Sequence, residues 1–174
     1  MKNEKIAKST RRTALLSLIV AFALILSYIE SLIPPIVPIP GVKLGLANIA
    51  IVFVMFTLGA KEAIMVSIVR VALISLLVGT PVSAFYSLFG AILSLLSMVI
   101  LSKLPAFSLI GISVGGGVFH NVGQIFAAAI VLGGGEVFAY LPLLVISGTV
   151  AGVAIGVISA LTISKFYKHM RALV

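Results

Sequence analysis

The sequence predicts an all-α integral membrane protein with six transmembrane helices, and three observations predict it. Hydrophobic residues fill 61% of the 174 positions and charged residues 9%. Soluble domains average roughly 45–50% and about 25%, so this chain lacks the polar surface needed to face water. At about 20 apolar residues per span, its length holds six helices and no soluble domain beside them. The charges also flank the apolar segments, the distribution expected at an anionic membrane face.

Residues 1–12 form a basic terminus carrying Lys2, Lys5, Lys8, Arg11 and Arg12. A basic start before apolar text resembles a signal peptide, but the stretch 13–33 is too long for an h-region and no small-residue cleavage site follows it. It is the first span. Pro34, Pro35, Pro38 and Pro40 end it, because each proline lacks an N–H and restricts its predecessor. A shorter second helix covers 44–58, closed by Gly59-Ala60-Lys61-Glu62. The third covers 63–78 and stops at Gly79-Thr80-Pro81; the fourth covers 82–102, before Lys103-Leu104-Pro105. The fifth runs over 107–132 until Gly133-Gly134-Gly135 breaks it. The sixth begins near Tyr140, with Pro142 suited to its first turn, and reaches residue 164. Residues 165–174 form a second basic terminus, so 13–164 is the membrane domain.

Orientation follows from the Lys and Arg residues beside the spans. Six spans place both termini on one side, with Lys2, Lys5, Lys8, Arg11, Arg12, Lys61, Lys103, Lys165, Lys168 and Arg171; the other side has Lys43. Both termini are therefore expected in the cytoplasm and the chain in the cell membrane. The loops at 34–43, 79–81 and 133–136 then face outward.

Composition also excludes chemistry. The chain has no Asp and no Cys, and its four acidic residues, Glu4, Glu30, Glu62 and Glu136, are far apart in sequence. Magnesium-dependent handling of diphosphates uses clustered carboxylates, because the hard cation takes oxygen ligands. Thiolate metal sites and disulfides need Cys. No G-x-x-x-x-G-K-[ST] loop is present to cradle a nucleotide. No catalytic constellation, metal or cofactor is expected. The net charge of +8 suits a membrane face and not nucleic acid.

Small residues recur at helical spacing, and helix packing in lipid depends on such close approach. Gly148, Gly152, Gly156 and Ala160 mark the sixth helix, where packing inside the monomer is the preferred reading over an oligomer contact. Gly111, Ser113, Gly115 and Gly117 thin the start of the fifth, again with packing preferred over a ligand close to the backbone. Ala14, Ser17 and Ala21 share a face of the first.

Polar residues inside a membrane are functional candidates by default, because each needs a partner. Arg70 lies midway along the third helix, where a lone cation costs about 2.5–3.5 kcal/mol on insertion scales. A Glu, backbone carbonyls or an anionic ligand must answer it. On the fifth helix Gln124 lies four residues after His120 and three after Asn121, so the three are expected to share a face, forming an interhelical network or, as preferred, a ligand site. Glu30, Lys43 and Asn48 stand toward the outer side, with Lys43 in the stiff proline loop. Tyr28 and Tyr140 suit interface anchors.

Four stretches carry a resemblance: Ala23-Leu-Ile-Leu-Ser-Tyr-Ile-Glu30, Pro38-Ile-Pro-Gly-Val-Lys-Leu-Gly-Leu-Ala-Asn48, His120-Asn-Val-Gly-Gln124 and Tyr140-Leu-Pro-Leu-Leu-Val-Ile-Ser-Gly148. They resemble the Gx transporter family, also known as heptaprenyl diphosphate synthase component I. More distantly, six spans with a small-residue face on the first helix resemble the substrate-binding S-components of energy-coupling factor (ECF) transporters. That resemblance implies a small-molecule substrate entering from outside, and Ala14, Ser17 and Ala21 as a docking face for a membrane coupling subunit driven by ATPases. Here Ser17 stands where that pattern has alanine. The two names imply different functions, and the residues favour transport, since prenyl chain extension uses aspartate-rich magnesium sites. The expectation is a non-enzymatic, S-component-like subunit that binds a small anionic ligand through Glu30, Lys43, Asn48, Arg70, His120, Asn121 and Gln124. A non-catalytic membrane subunit of polyprenyl diphosphate synthesis is the alternative.

Overall fold

Six α-helices and one 3-10 helix make up nearly all of the described chain, residues 2–34 and 45–173 of a computed structural model. In order they are α1 (Lys2–Ser31), α2 (Asn48–Thr57), α3 (Ala60–Leu77), α4 (Pro81–Leu101), α5 (Leu109–Leu132), the 3-10 turn Gly135–Tyr140, and α6 (Leu141–Leu173). The expected helical bundle is present, with the helices in the expected order. Both basic termini continue the helices beside them, as Lys and Arg, good helix formers, allow.

The helices start and stop for local reasons. Thr80 caps α4: its hydroxyl accepts from the Ser83 N–H at 3.1 Å, while the Thr80 N–H donates to the Ser83 hydroxyl at 2.9 Å, and Pro81 opens the helix. The Ser108 hydroxyl accepts from the Gly111 N–H and caps α5. Gly133 ends α5 in the left-handed region (φ 71°), donating its N–H to the Ala129 carbonyl at 3.0 Å.

Among the described residues, four stretches are long and apolar enough to cross a membrane: Ser9–Ser31, Pro81–Leu101, Leu109–Leu132 and Gly135–Phe166. The other two expected spans differ from these. Helix α3 is long enough but carries Lys61, Glu62 and Arg70. Helix α2 has ten residues, about 15 Å at 1.5 Å per residue, half of a hydrocarbon core about 30 Å thick.

Helix α5 is the centre of the bundle, between α4 and α6, and glycines make both interfaces thin. A Cβ on Gly148 would lie 2.7 Å from the Gly117 carbonyl oxygen, and one on Gly152 would lie 2.6 Å from the Val114 Cα. One on Gly156 would lie 2.9 Å from the Ile110 Cα. On the other side, a Cβ on Gly123 would lie 2.5 Å from the Phe89 carbonyl oxygen. The α6 glycine stripe is thus used inside the monomer, and the thin face of α5 receives helices.

Helix α1 turns Leu16, Ile19, Ala23, Ser27 and Glu30 inward and leaves Ala14, Ser17 and Ala21 exposed. Near its start the Arg12 guanidinium donates to the Glu62 carboxylate of α3, so α1 and α3 begin on the same side of the bundle.

Candidate functional site

The site is built where α2 begins. Gly45 has φ +85°, a left-handed conformation that suits glycine. Its N–H donates to the Glu30 carboxylate, which ties the approach to α2 to the end of α1. A Cβ on Gly45 would lie 2.9 Å from Asn48 Nδ2 and 3.4 Å from His120 Cδ2. On α4, a Cβ on Gly90 would lie 2.9 Å from His120 Cε1 and 3.0 Å from Nδ1. The His120 imidazole therefore sits between two glycines, one beside Asn48 and one on α4. His120 and Gly90 each lie about half-way along their helices. The N-terminal end of α2 consequently opens inside the bundle rather than at a membrane surface.

Arg70 is 5% exposed, half-way along α3, and faces the interior one turn beyond the buried Ser67. The Glu30 carboxylate acts on it electrostatically. Its Nε and Nη2 have no hydrogen-bond partner among the described residues, and the same holds for Asn48 Nδ2. Glu30 and His120 are both buried and engaged, as is Gln124, which has no exposed surface.

The structure thus gathers Glu30, Asn48 and His120 around Gly45, with Arg70 close enough to feel the charge of Glu30. The single face expected for His120, Asn121 and Gln124 divides. Asn121 turns to α6, where its Nδ2 donates to the Leu144 carbonyl at 2.7 Å and to the Ser147 hydroxyl at 3.2 Å. The physical reason is the Gly117–Gly148 approach, which brings the α6 backbone within reach of so short a side chain. Lys43 lies outside the described residues. Gly45 and Gly90 are the positions that sequence reasoning missed as part of the site. An isolated glycine inside an apolar helix marks a close approach, and that signal was available at Gly90.

The backbone N–H groups of Asn48, Ile49 and Ala50 close tight turns onto the carbonyls of Gly45, Leu46 and Ala47. What the start of α2 offers is therefore mainly its dipole, equivalent to roughly half a positive charge. Together with the Arg70 guanidinium it gives the surroundings of the Glu30 carboxylate a positive character. Among the described residues no group of three or more His, Cys, Asp or Glu is placed to hold a metal ion.

These features define a helical membrane protein with a buried polar site at the start of a half-length helix. The model of the heptaprenyl diphosphate synthase component I family matches residues 19–162. The chain belongs to that family. No curated protein and no solved structure matches it.

Proposed function

We propose that the protein is the substrate-binding subunit of a transport system, taking a small anionic ligand from the outer side of the cell membrane with both termini in the cytoplasm. One observation carries this reading: Arg70 is buried in the bundle with two guanidinium nitrogens unpaired among the described residues. The Glu30 carboxylate accepts from the Gly45 N–H and acts on Arg70 through its charge. An anionic group arriving beside Asn48 and His120 would satisfy those donors, and charge-assisted bonds of this kind are roughly twice as strong as neutral ones. Transporters commonly place substrate near the membrane midplane, where a half-helix starts and its dipole favours negative charge. Lys43 would attract the ligand from the proline loop, Gln124 would support the inner wall, and Asn121 would hold α5 against α6. The protein itself performs no catalysis. An ECF-type coupling subunit with ATPases would supply the driving force, docking on the exposed face of Ala14, Ser17 and Ala21.

The test is purification in mild detergent with mass spectrometry of the small molecules retained. Arg70→Met should remove the retained anion while the protein stays monodisperse. An Arg70→Met protein that unfolds, with the ligand still held by its residual folded fraction, would make Arg70 a structural ion-pair partner and defeat the reading.

The family's name favours a second reading, a non-catalytic membrane subunit that assembles with another component of heptaprenyl diphosphate synthesis. Recovery of a soluble prenyl synthase with the purified protein would favour it, and recovery of an ATPase module would favour the first.

A further inference from the structure

A second feature lies away from the polar site. Helices α1 and α6 touch only slightly, and both pack against α2. A groove of about 520 Å³ opens between them. Leu15, Leu18 and Phe22 of α1 form one wall, Ile158, Thr162 and Phe166 of α6 form the other, and Phe53 of α2 contributes to the floor. The Thr162 hydroxyl donates to the Ile158 carbonyl at 2.8 Å, so it makes no demand on an occupant. Among the described residues, none that is acidic or basic lines the groove.

Its lining limits what can fill it. Leu15 to Phe22 rises about 10 Å along α1, and over that height the walls are almost wholly hydrocarbon. Acyl chains of the surrounding bilayer match such a surface.

The end of the groove nearest the chain termini is basic. Arg11 lies four residues before Leu15 and seven before Leu18, so it heads the helical face that forms the α1 wall. Lys165 lies three residues after Thr162 on α6. Both are exposed. Arg12, the neighbouring cation, is instead committed to Glu62. Basic clusters at the membrane ends of helices recognise anionic headgroups.

We propose that this groove binds one anionic phospholipid, its acyl chain lying against Leu18, Phe22 and Phe53 and its phosphate held by Arg11 and Lys165. The site is independent of the anion-capture reading, because none of its residues belongs to the polar cluster around Gly45. The bound lipid fills the gap between α1 and α6 above the floor that α2 provides, and it takes part in the packing of the bundle.

The test uses the full chain in mild detergent, offered equal amounts of phosphatidylglycerol and phosphatidylcholine, with retained lipid counted by native mass spectrometry. One phosphatidylglycerol should be retained at least tenfold over phosphatidylcholine, and millimolar inorganic phosphate should not displace it. Arg11→Gln with Lys165→Gln should abolish the preference. Leu18→Trp, which fills the groove from an exposed position, should abolish retention; Thr162→Phe does the same from the other wall if the tryptophan variant misfolds. Arg70→Met should leave lipid retention unchanged, so the failure of this proposal and the failure of anion capture are distinguishable. Equal retention of both lipids, displacement by free phosphate, or retention unaffected by the groove-filling variants would overturn the proposal. So would a protein partner displaced by Leu18→Trp while lipid retention stays unchanged.

Discussion

Gly90 of α4 and His120 of α5 are in such close contact that a methyl group on the glycine would lie 2.9 Å from the imidazole Cε1. The imidazole is therefore positioned by an absent side chain, and the opposite wall is another glycine, Gly45. Gly90→Ala should push His120 toward Gly45 and cost about 1–3 kcal/mol, the usual range for overpacking a core. Thermal unfolding in detergent measures that loss. Ligand retention by the surviving folded protein should fall with it, because His120 would no longer stand beside Asn48.

Asn121 gives the complementary case. Asn121→Leu removes the bonds to Leu144 and Ser147 and should cost about 1–3 kcal/mol, from about 0.5–1.5 kcal/mol net for each ordinary hydrogen bond. The ligand affinity of the folded fraction should not change. A loss of affinity without a loss of stability would place Asn121 in the binding site itself.

The small residues divide into two classes with opposite predictions. Gly152→Leu drives a side chain into the α5 backbone and should destabilise the bundle by at least about 3 kcal/mol. Ser17→Leu with Ala21→Leu adds bulk to an exposed face of α1, so the protein should remain monodisperse while losing any docked coupling subunit. Chromatography and co-purification separate the two results. Unfolding of the α1 variant would show that this face is internal packing.

Arg12 and Glu62 join α1 to α3 with side chains 44% and 14% exposed. Such partly exposed pairs are worth about 0.2–1 kcal/mol. Arg12→Glu should destabilise by about that much or slightly more, and adding Glu62→Arg should restore most of it. A double-mutant cycle with no coupling would remove this pair as a link between the two helices.

Sidedness can be read by cysteine labelling, because the chain has no native Cys. Thr80→Cys and Gly134→Cys should react with an impermeant maleimide on intact cells, and Lys103→Cys and Lys165→Cys should not. The reverse pattern would invert the orientation expected from the charges and move ligand entry to the other face.

Much of the architecture was legible in the sequence because its punctuation is covalent. Thr80-Pro81 and Gly133-Gly134-Gly135 interrupt the helices through missing N–H groups and through backbone conformations that glycine adopts freely. The monomer-packing role of Gly148, Gly152 and Gly156 was legible as well, since spacing alone puts them on one face. Helix spacing also placed Asn121 with Gln124, but it could not say which neighbour each side would meet. That depended on how closely α6 approaches α5 at Gly117. The placement of Glu30 beside Gly45 was similarly hidden, because a contact across fifteen residues of chain has no local signature. The half-length of α2 was partly masked, since apolar residues continue on both sides of it.

Helix α2 also bears on how the chain is assembled. Ten residues are too few to be recognised as a span during insertion, and α2 packs more extensively against α6 than against α1. The ribosome makes α6 last. A nascent chain that has delivered α1 to α3 therefore lacks the single helix against which α2 packs most. Completion of the polar site beside Gly45 must also wait for His120 of α5, so a chain truncated before residue 109 would insert its early spans yet never form the pocket.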